Sequence, residues 1–164
     1  MSRSKKPNLK KPTIAVGIAD EQDLHPIEQP IADRIMDAVR VIAEDFGYEQ
    51  GEISIAVLDD AAIRELNREY LDHDWATDVI TFPLEDEDTL LEGEIIVSRE
   101  TADRESANHS WSGDEELLLY VIHGMLHLVG FDDTNDEARA EMKIAERDYL
   151  VRFQVPGGDK HRDE

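Results

Sequence analysis

Residues 123–133 read HGMLHLVGFDD, which places two histidines four apart in an otherwise apolar segment that ends at a glycine. A helix is the element that brings residues four apart onto one face, one turn above the other, so both imidazoles can reach a single point in space. Ser112 and Glu115 form an S-x-x-E capping box, and the helix they start is predicted to run from Ser112 through Val129. Gly130 can then adopt the left-handed conformation that stops a helix and turns the chain back. Asp133, six residues after His127, is the third candidate ligand. Two imidazoles and a carboxylate leave a fourth position for water, which is the open, catalytic kind of metal site. The alternative is a pair of helix-surface histidines brought together by chance.

The rest of the chain narrows what such a site belongs to. At 164 residues it suits one domain with a proper core and is too short for two ordinary ones. There is no cysteine, so any metal must be held by His, Asp or Glu. No apolar run approaches the roughly 20 residues of a membrane helix, and the basic start MSRSKKPNLKKP has no apolar segment behind it. A soluble, cytoplasmic protein with no membrane partner is expected. The net charge is −22, yet the first twelve residues hold five of the seventeen basic groups and no acid. Residues 1–12 are read as a basic, disordered arm, residues 13–155 as the single domain, and 156–164 as a frayed tail. So acidic a surface argues against general nucleic-acid binding, unless a divalent cation and a small basic cleft handle phosphate.

Apolar periods give the order of elements. Ile31, Ile35, Ala38, Val39, Ile42 and Phe46 recur at helical spacing, with Pro30 in the first turn and Gly47 past the last. GEISIAVL (51–58) alternates as a strand and runs through Asp59 and Asp60 into a capped helix over about 61–71. TDVITF (77–82) is a strand that Pro83 ends, the acidic run EDEDTLLEGE is an exposed loop, and EIIVS (94–98) pairs with the strand before it. Helices are predicted from about 99, over the histidine segment, and over about 136–153. The class is α/β (α+β): a small mixed sheet of about four strands surrounded by about five helices.

One familiar zinc chemistry is disfavoured. Metalloproteases of the H-E-x-x-H type set a glutamate beside the first histidine as general base, and here that position is Gly124.

HGMLHLVGFDD resembles the H-G-x-L-H-L-x-G-[YF]-x-H signature of the YbeY family of bacterial endoribonucleases. LNREYLDHDWATDVITFPLE (66–85) and GEIIVS (93–98) are similar to two further segments of that family, in the same order. The resemblance implies a compact α/β domain, and one zinc ion, or another divalent metal, on His123, His127 and Asp133, the last standing where the family usually has a histidine. It implies a metal-dependent, single-strand-specific endoribonuclease of ribosomal RNA maturation and ribosome quality control. Its partners would be ribosomal RNA and the small ribosomal subunit, with no DNA expected. The family's arginine after the aromatic residue is Leu71 here, and Arg68 or Arg64 is a candidate replacement, against the alternative that both are surface helix residues. His73 is a second catalytic candidate, for phosphate contact or proton transfer, or simply an exposed loop histidine. Asp78 matches a family position at a strand start. Two other functions remain open: a ribosome-associated assembly factor with a structural metal and little cleavage, and a zinc hydrolase acting on something other than RNA.

Overall fold

The apolar character of the histidine helix dictates where it sits, because a helix hydrophobic all round must be covered all round. In the computed structural model, which describes residues 13–163, it is Gly113–Leu128 (α4), and eleven of its residues are buried. Helices Gln29–Asp45 (α1), Arg99–Glu105 (α3) and Asp136–Arg152 (α5) pack around it, with α2 at Asp60–Leu71. The strands are Thr13–Asp20 (β1), Gln50–Leu58 (β2), Val79–Glu87 (β3) and Leu90–Ser98 (β4), in the order β1-β2-β4-β3. β1, β2 and β4 are parallel, and β3 runs antiparallel to β4 at the edge.

Period-two alternation gives the sheet two apolar faces. Ile53, Ile55 and Val57 of β2 and Leu91, Ile95 and Val97 of β4 join the main core with α1 and α4. Ile80 and Ile96 point the other way and meet Ile63 of α2. The mixed four-stranded sheet and five helices agree with the expected class. Among the described residues no helix is long and apolar enough to cross a membrane.

The structure departs from expectation in three places. β1 had no counterpart among the strands read individually, although Ile14, Val16 and Ile18 alternate towards the core. The second departure concerns β3, which continues through Pro83 to Glu87, so part of the presumed acidic loop is strand. β3 is an edge, and its pairing shifts by one residue between Pro83 and Glu85, which accommodates a residue without an N–H. The acidic turn shrinks to Asp88–Thr89, with Asp88 at φ 48°.

Finally, the tail expected to fray folds back instead. Val155 is buried, its N–H donates to the Leu150 carbonyl at 2.9 Å, and a 3-10 helix, Gly158–Asp163, follows against α5. The arm, residues 1–12, lies outside the described residues.

Candidate metal centre

Both ends of α4 are set by local chemistry. Ser112 Oγ accepts from the Glu115 N–H at 3.2 Å, and Glu115 Oε1 accepts from the Ser112 N–H at 3.1 Å, closing the capping box. At the far end the Phe131 N–H donates to the Leu126 carbonyl at 2.9 Å and the Gly130 N–H to the His127 carbonyl at 3.1 Å. This is a Schellman turn, and Gly130 takes the positive φ of 117° that it needs. The reversal brings the following residues back across the helix end, where Asp133 meets the histidines.

His123 Nε2 and His127 Nε2 are 3.1 Å apart, and His127 Nε2 is 3.9 Å from Asp133 Oδ2. One ligand atom from each of the three lies within 4.8 Å of the others. Metal–nitrogen bonds of about 2.0–2.1 Å in a tetrahedral site put ligand atoms about 3.3 Å apart, which these separations bracket. Asp132 is turned away, its carboxylate accepting from the Thr134 N–H and Oγ1 at 3.2 and 3.0 Å.

His123 Nδ1 is hydrogen-bonded to Glu146 of α5, which is only 3% exposed. A carboxylate accepts, so Nδ1 carries the hydrogen and the Nε2 lone pair faces His127. His127 is in turn hydrogen-bonded to the Phe131 backbone. Two bare ring nitrogens at 3.1 Å repel unless a proton or a cation lies between them. The donor set therefore fits a divalent ion. Burial opposes the charged form of His123, but the hydrogen bond and charge of Glu146, with the charges of Asp78 and Asp133, outweigh it and raise its pKa above 6.5. Burial, and then the charge of His123, lower the pKa of His127. Metal must displace the proton from His123, so occupancy is expected to fall as pH drops through the neutral range. Metal retained per chain after dialysis at stepped pH checks this, and a flat response would exclude histidine ligation.

Gly124 faces the sheet. A Cβ there would stand 2.8 Å from Ile95 Cγ2 and 3.1 Å from Thr81 Cγ2. The position where a metalloprotease keeps its base thus has no room and no view of the site.

The group opens into two adjoining cavities. One, of about 330 Å³, is lined by Leu71, residues 77–81, His123, His127 and Asp133. The other, of about 620 Å³, shares Thr77, Asp78, Val79, His123 and Asp133 with the first and reaches on to Tyr120. Three cations line its walls: Arg104, Arg139 and Lys143. Arg139 Nη1 donates to the Asp133 carbonyl at 3.0 Å and its other end pairs with Asp136, while Arg104 pairs with Asp60 at 3.0 Å.

Of the residues singled out in the sequence, the fold brings together His123, His127, Asp133, Asp78 and Leu71. Arg68, paired with Glu65 on the exposed face of α2, lines neither cavity. Arg64 is bound to Asp74 at 3.0 Å, and His73 stacks on Trp75; neither lines these cavities. Glu146 and the α5 cations were not anticipated. Their spacing, 139, 143 and 146, puts them on one helical face and was the signal available.

The sequence profile of the family described as Endoribonuclease YbeY matches residues 17–154. The chain is similar to an Endoribonuclease YbeY of Rhodopirellula baltica, 49% identical over 102 residues, which are 61% of this chain and 53% of that protein. It is similar to that of Clostridioides difficile, 34% identical over 144 residues, 83% of this chain and 94% of that one. Its fold resembles the solution structure of TM1509 from Thermotoga maritima, with a TM-score of 0.58 at 23% identity, covering 93% of this chain and 96% of the other.

Proposed function

The chain belongs to the endoribonuclease YbeY family, a family of nucleases, and from that premise we propose a metal-dependent, single-strand-specific endoribonuclease acting in ribosomal RNA maturation and ribosome quality control. Its partners are ribosomal RNA and the small ribosomal subunit, in the cytoplasm. His123, His127 and Asp133 would hold one divalent ion, zinc or another metal that accepts imidazole and carboxylate donors. The observation that carries this reading is the convergence of the two Nε2 atoms and Asp133 Oδ2 at the junction of the two cavities.

When bound, such an ion polarises a phosphoryl oxygen and lowers the pKa of a water. The protein's own part is positioning. Glu146 holds the Nδ1 hydrogen of His123 and thereby keeps the ring in one tautomer and orientation. Arg139 ties down the backbone of Asp133 while its guanidinium lines the larger cavity, where Lys143 and Arg104 add positive charge. These three cations stand among five carboxylates of the same cavity, Asp78, Glu105, Glu116, Asp133 and Glu146. On a chain whose net charge is −22 they therefore offer an RNA backbone discrete phosphate contacts, not a basic surface. Leu71 lines the smaller cavity in place of the family's arginine, so the α5 side takes over the phosphate contact. The same substitution favours, as a second reading, an assembly factor that binds ribosomal RNA and cleaves little.

Cleavage of a single-stranded ribosomal RNA fragment and of its duplex, with metal content measured in parallel, tests the proposal. Asp133→Ala is expected to lose metal and cleavage together, while Asp133→His keeps both. Arg139→Ala should slow cleavage more than Arg68→Ala, and Leu71→Arg should raise it. Metal-loaded protein that binds ribosomal subunits and cuts neither RNA would leave the assembly-factor reading. Equal sensitivity at Asp132 would show that the ligand register after Gly130 is misassigned.

A further inference from the structure

Residues 72–78 carry the chain from the end of α2 to the start of β3. Within them His73 and Trp75 lie face to face, ring centroids 4.5 Å apart and planes 11° from parallel. Trp75 remains 57% exposed, although burying an indole is favourable. It is nevertheless held firmly. Asn67 of α2, 2% exposed, accepts from the His73 N–H through its backbone carbonyl at 3.1 Å and donates Nδ2 to the Trp75 carbonyl at 3.0 Å. Asp72 closes α2 with φ 60°, and Arg64 bonds Asp74 between the two rings. One buried asparagine, through its backbone carbonyl and its side-chain amide, thus anchors the loop on both sides of Asp74 and presents the ring pair to solvent as a platform.

Position gives the platform a purpose. Trp75 lines a hollow of about 360 Å³ together with Asp60, Arg64, Asp74 and Ala76, and Ala76 also lines the cavity that reaches His123 and Asp133. A strand with a phosphate at the metal group can pass Ala76 and lay a base on Trp75; Arg64 is paired with Asp74 at the same hollow, so the contact is the stack itself. We infer that Trp75, backed by His73, is a base-stacking subsite for an unpaired nucleotide of the RNA. The inference rests on the RNA-cleaving reading above and deepens it by supplying a source of strand selectivity. Every base has a π face, so stacking is tolerant of sequence, whereas a duplex keeps its bases stacked on one another and offers none.

The two tryptophans of the chain make the test direct, because Trp111 is 8% exposed and Trp75 is not buried. The metal-loaded protein is titrated with a single-stranded 2′-O-methyl oligoadenylate and with the corresponding duplex, and tryptophan emission is followed. Quenching by the single strand alone is expected, lost in Trp75→Phe, which still stacks and keeps most of the affinity. Trp75→Ala should bind the single strand about tenfold more weakly. Quenching of equal depth in Trp75→Phe, or undiminished affinity in Trp75→Ala, overturns the subsite while leaving the nuclease reading intact. A wild-type protein that binds neither strand overturns the RNA reading itself. A Trp75→Ala variant that binds RNA normally but no longer associates with ribosomal subunits assigns the platform to a protein partner, and the inference fails.

Discussion

His123→Ala and His127→Ala are each expected to strip the protein of its metal, taking elemental content from about one ion per chain to a trace. Glu146 and the Phe131 backbone aim these rings without touching an ion, and losing a supporting group of that kind typically costs about 10–100-fold in affinity. Deleting a ligand removes a bond outright and leaves two donors, so the loss should be larger. Stability provides an independent readout. An ion that binds the folded chain alone, present at about 1,000 times its dissociation constant, adds about 4 kcal/mol, or on the order of 10 °C in Tm for a domain of this size. A chelator should therefore lower the Tm of the wild type by that order and leave both variants unmoved. Stoichiometric metal persisting in the double variant would refute the ligand assignment.

The second large effect lies one residue away and has nothing to do with coordination. Gly124→Glu restores the H-E-x-x-H pattern on paper, but it is expected to abolish folding rather than to confer peptidase chemistry. The new Cβ would meet Ile95 Cγ2 at 2.8 Å, and Ile95 is β-branched, fully buried and unable to swing aside. Gly124→Ala places the same Cβ 2.8 Å from Ile95 Cγ2 with nothing beyond it. It should cost about 1–3 kcal/mol by overpacking, offset in part by alanine's better helix propensity. Urea unfolding of Gly124→Ala and the soluble yield of Gly124→Glu check the pair. A Gly124→Glu protein that folds with wild-type stability would mean that α4 does not lie this close to the sheet.

What could be read in the sequence was what neighbouring residues decide among themselves. The capping box at Ser112 and Glu115, the helical pairing of His123 with His127 and the glycine stop at Gly130 each need only a few consecutive residues, and each appears in the structure. The alternation of β2 and the apolar stripe of α1 are likewise local patterns. The strand at 13–20 carries the same alternation in Ile14, Val16 and Ile18 but is short of bulk, with alanine and glycine between, and became evident as an element through its pairing with β2.

Tertiary packing decided the rest. Pro83 ends a strand by its own chemistry, yet at the sheet edge a shift in register lets β3 run on, and nothing in the residues alone says which strand is the edge. Glu146 meets His123 across 23 positions because α5 packs on α4, and the same docking turns Arg139 and Lys143 towards the cavity. Arg68 and Arg139 carry the same charge on helices of similar kind, but helix spacing fixes only which residues share a face. Whether that face looks into the cavity or out to solvent depends on how the whole helix is rotated against the core, and the burial of distant apolar residues such as Ile63 on α2 and Met142 and Leu150 on α5 sets that rotation.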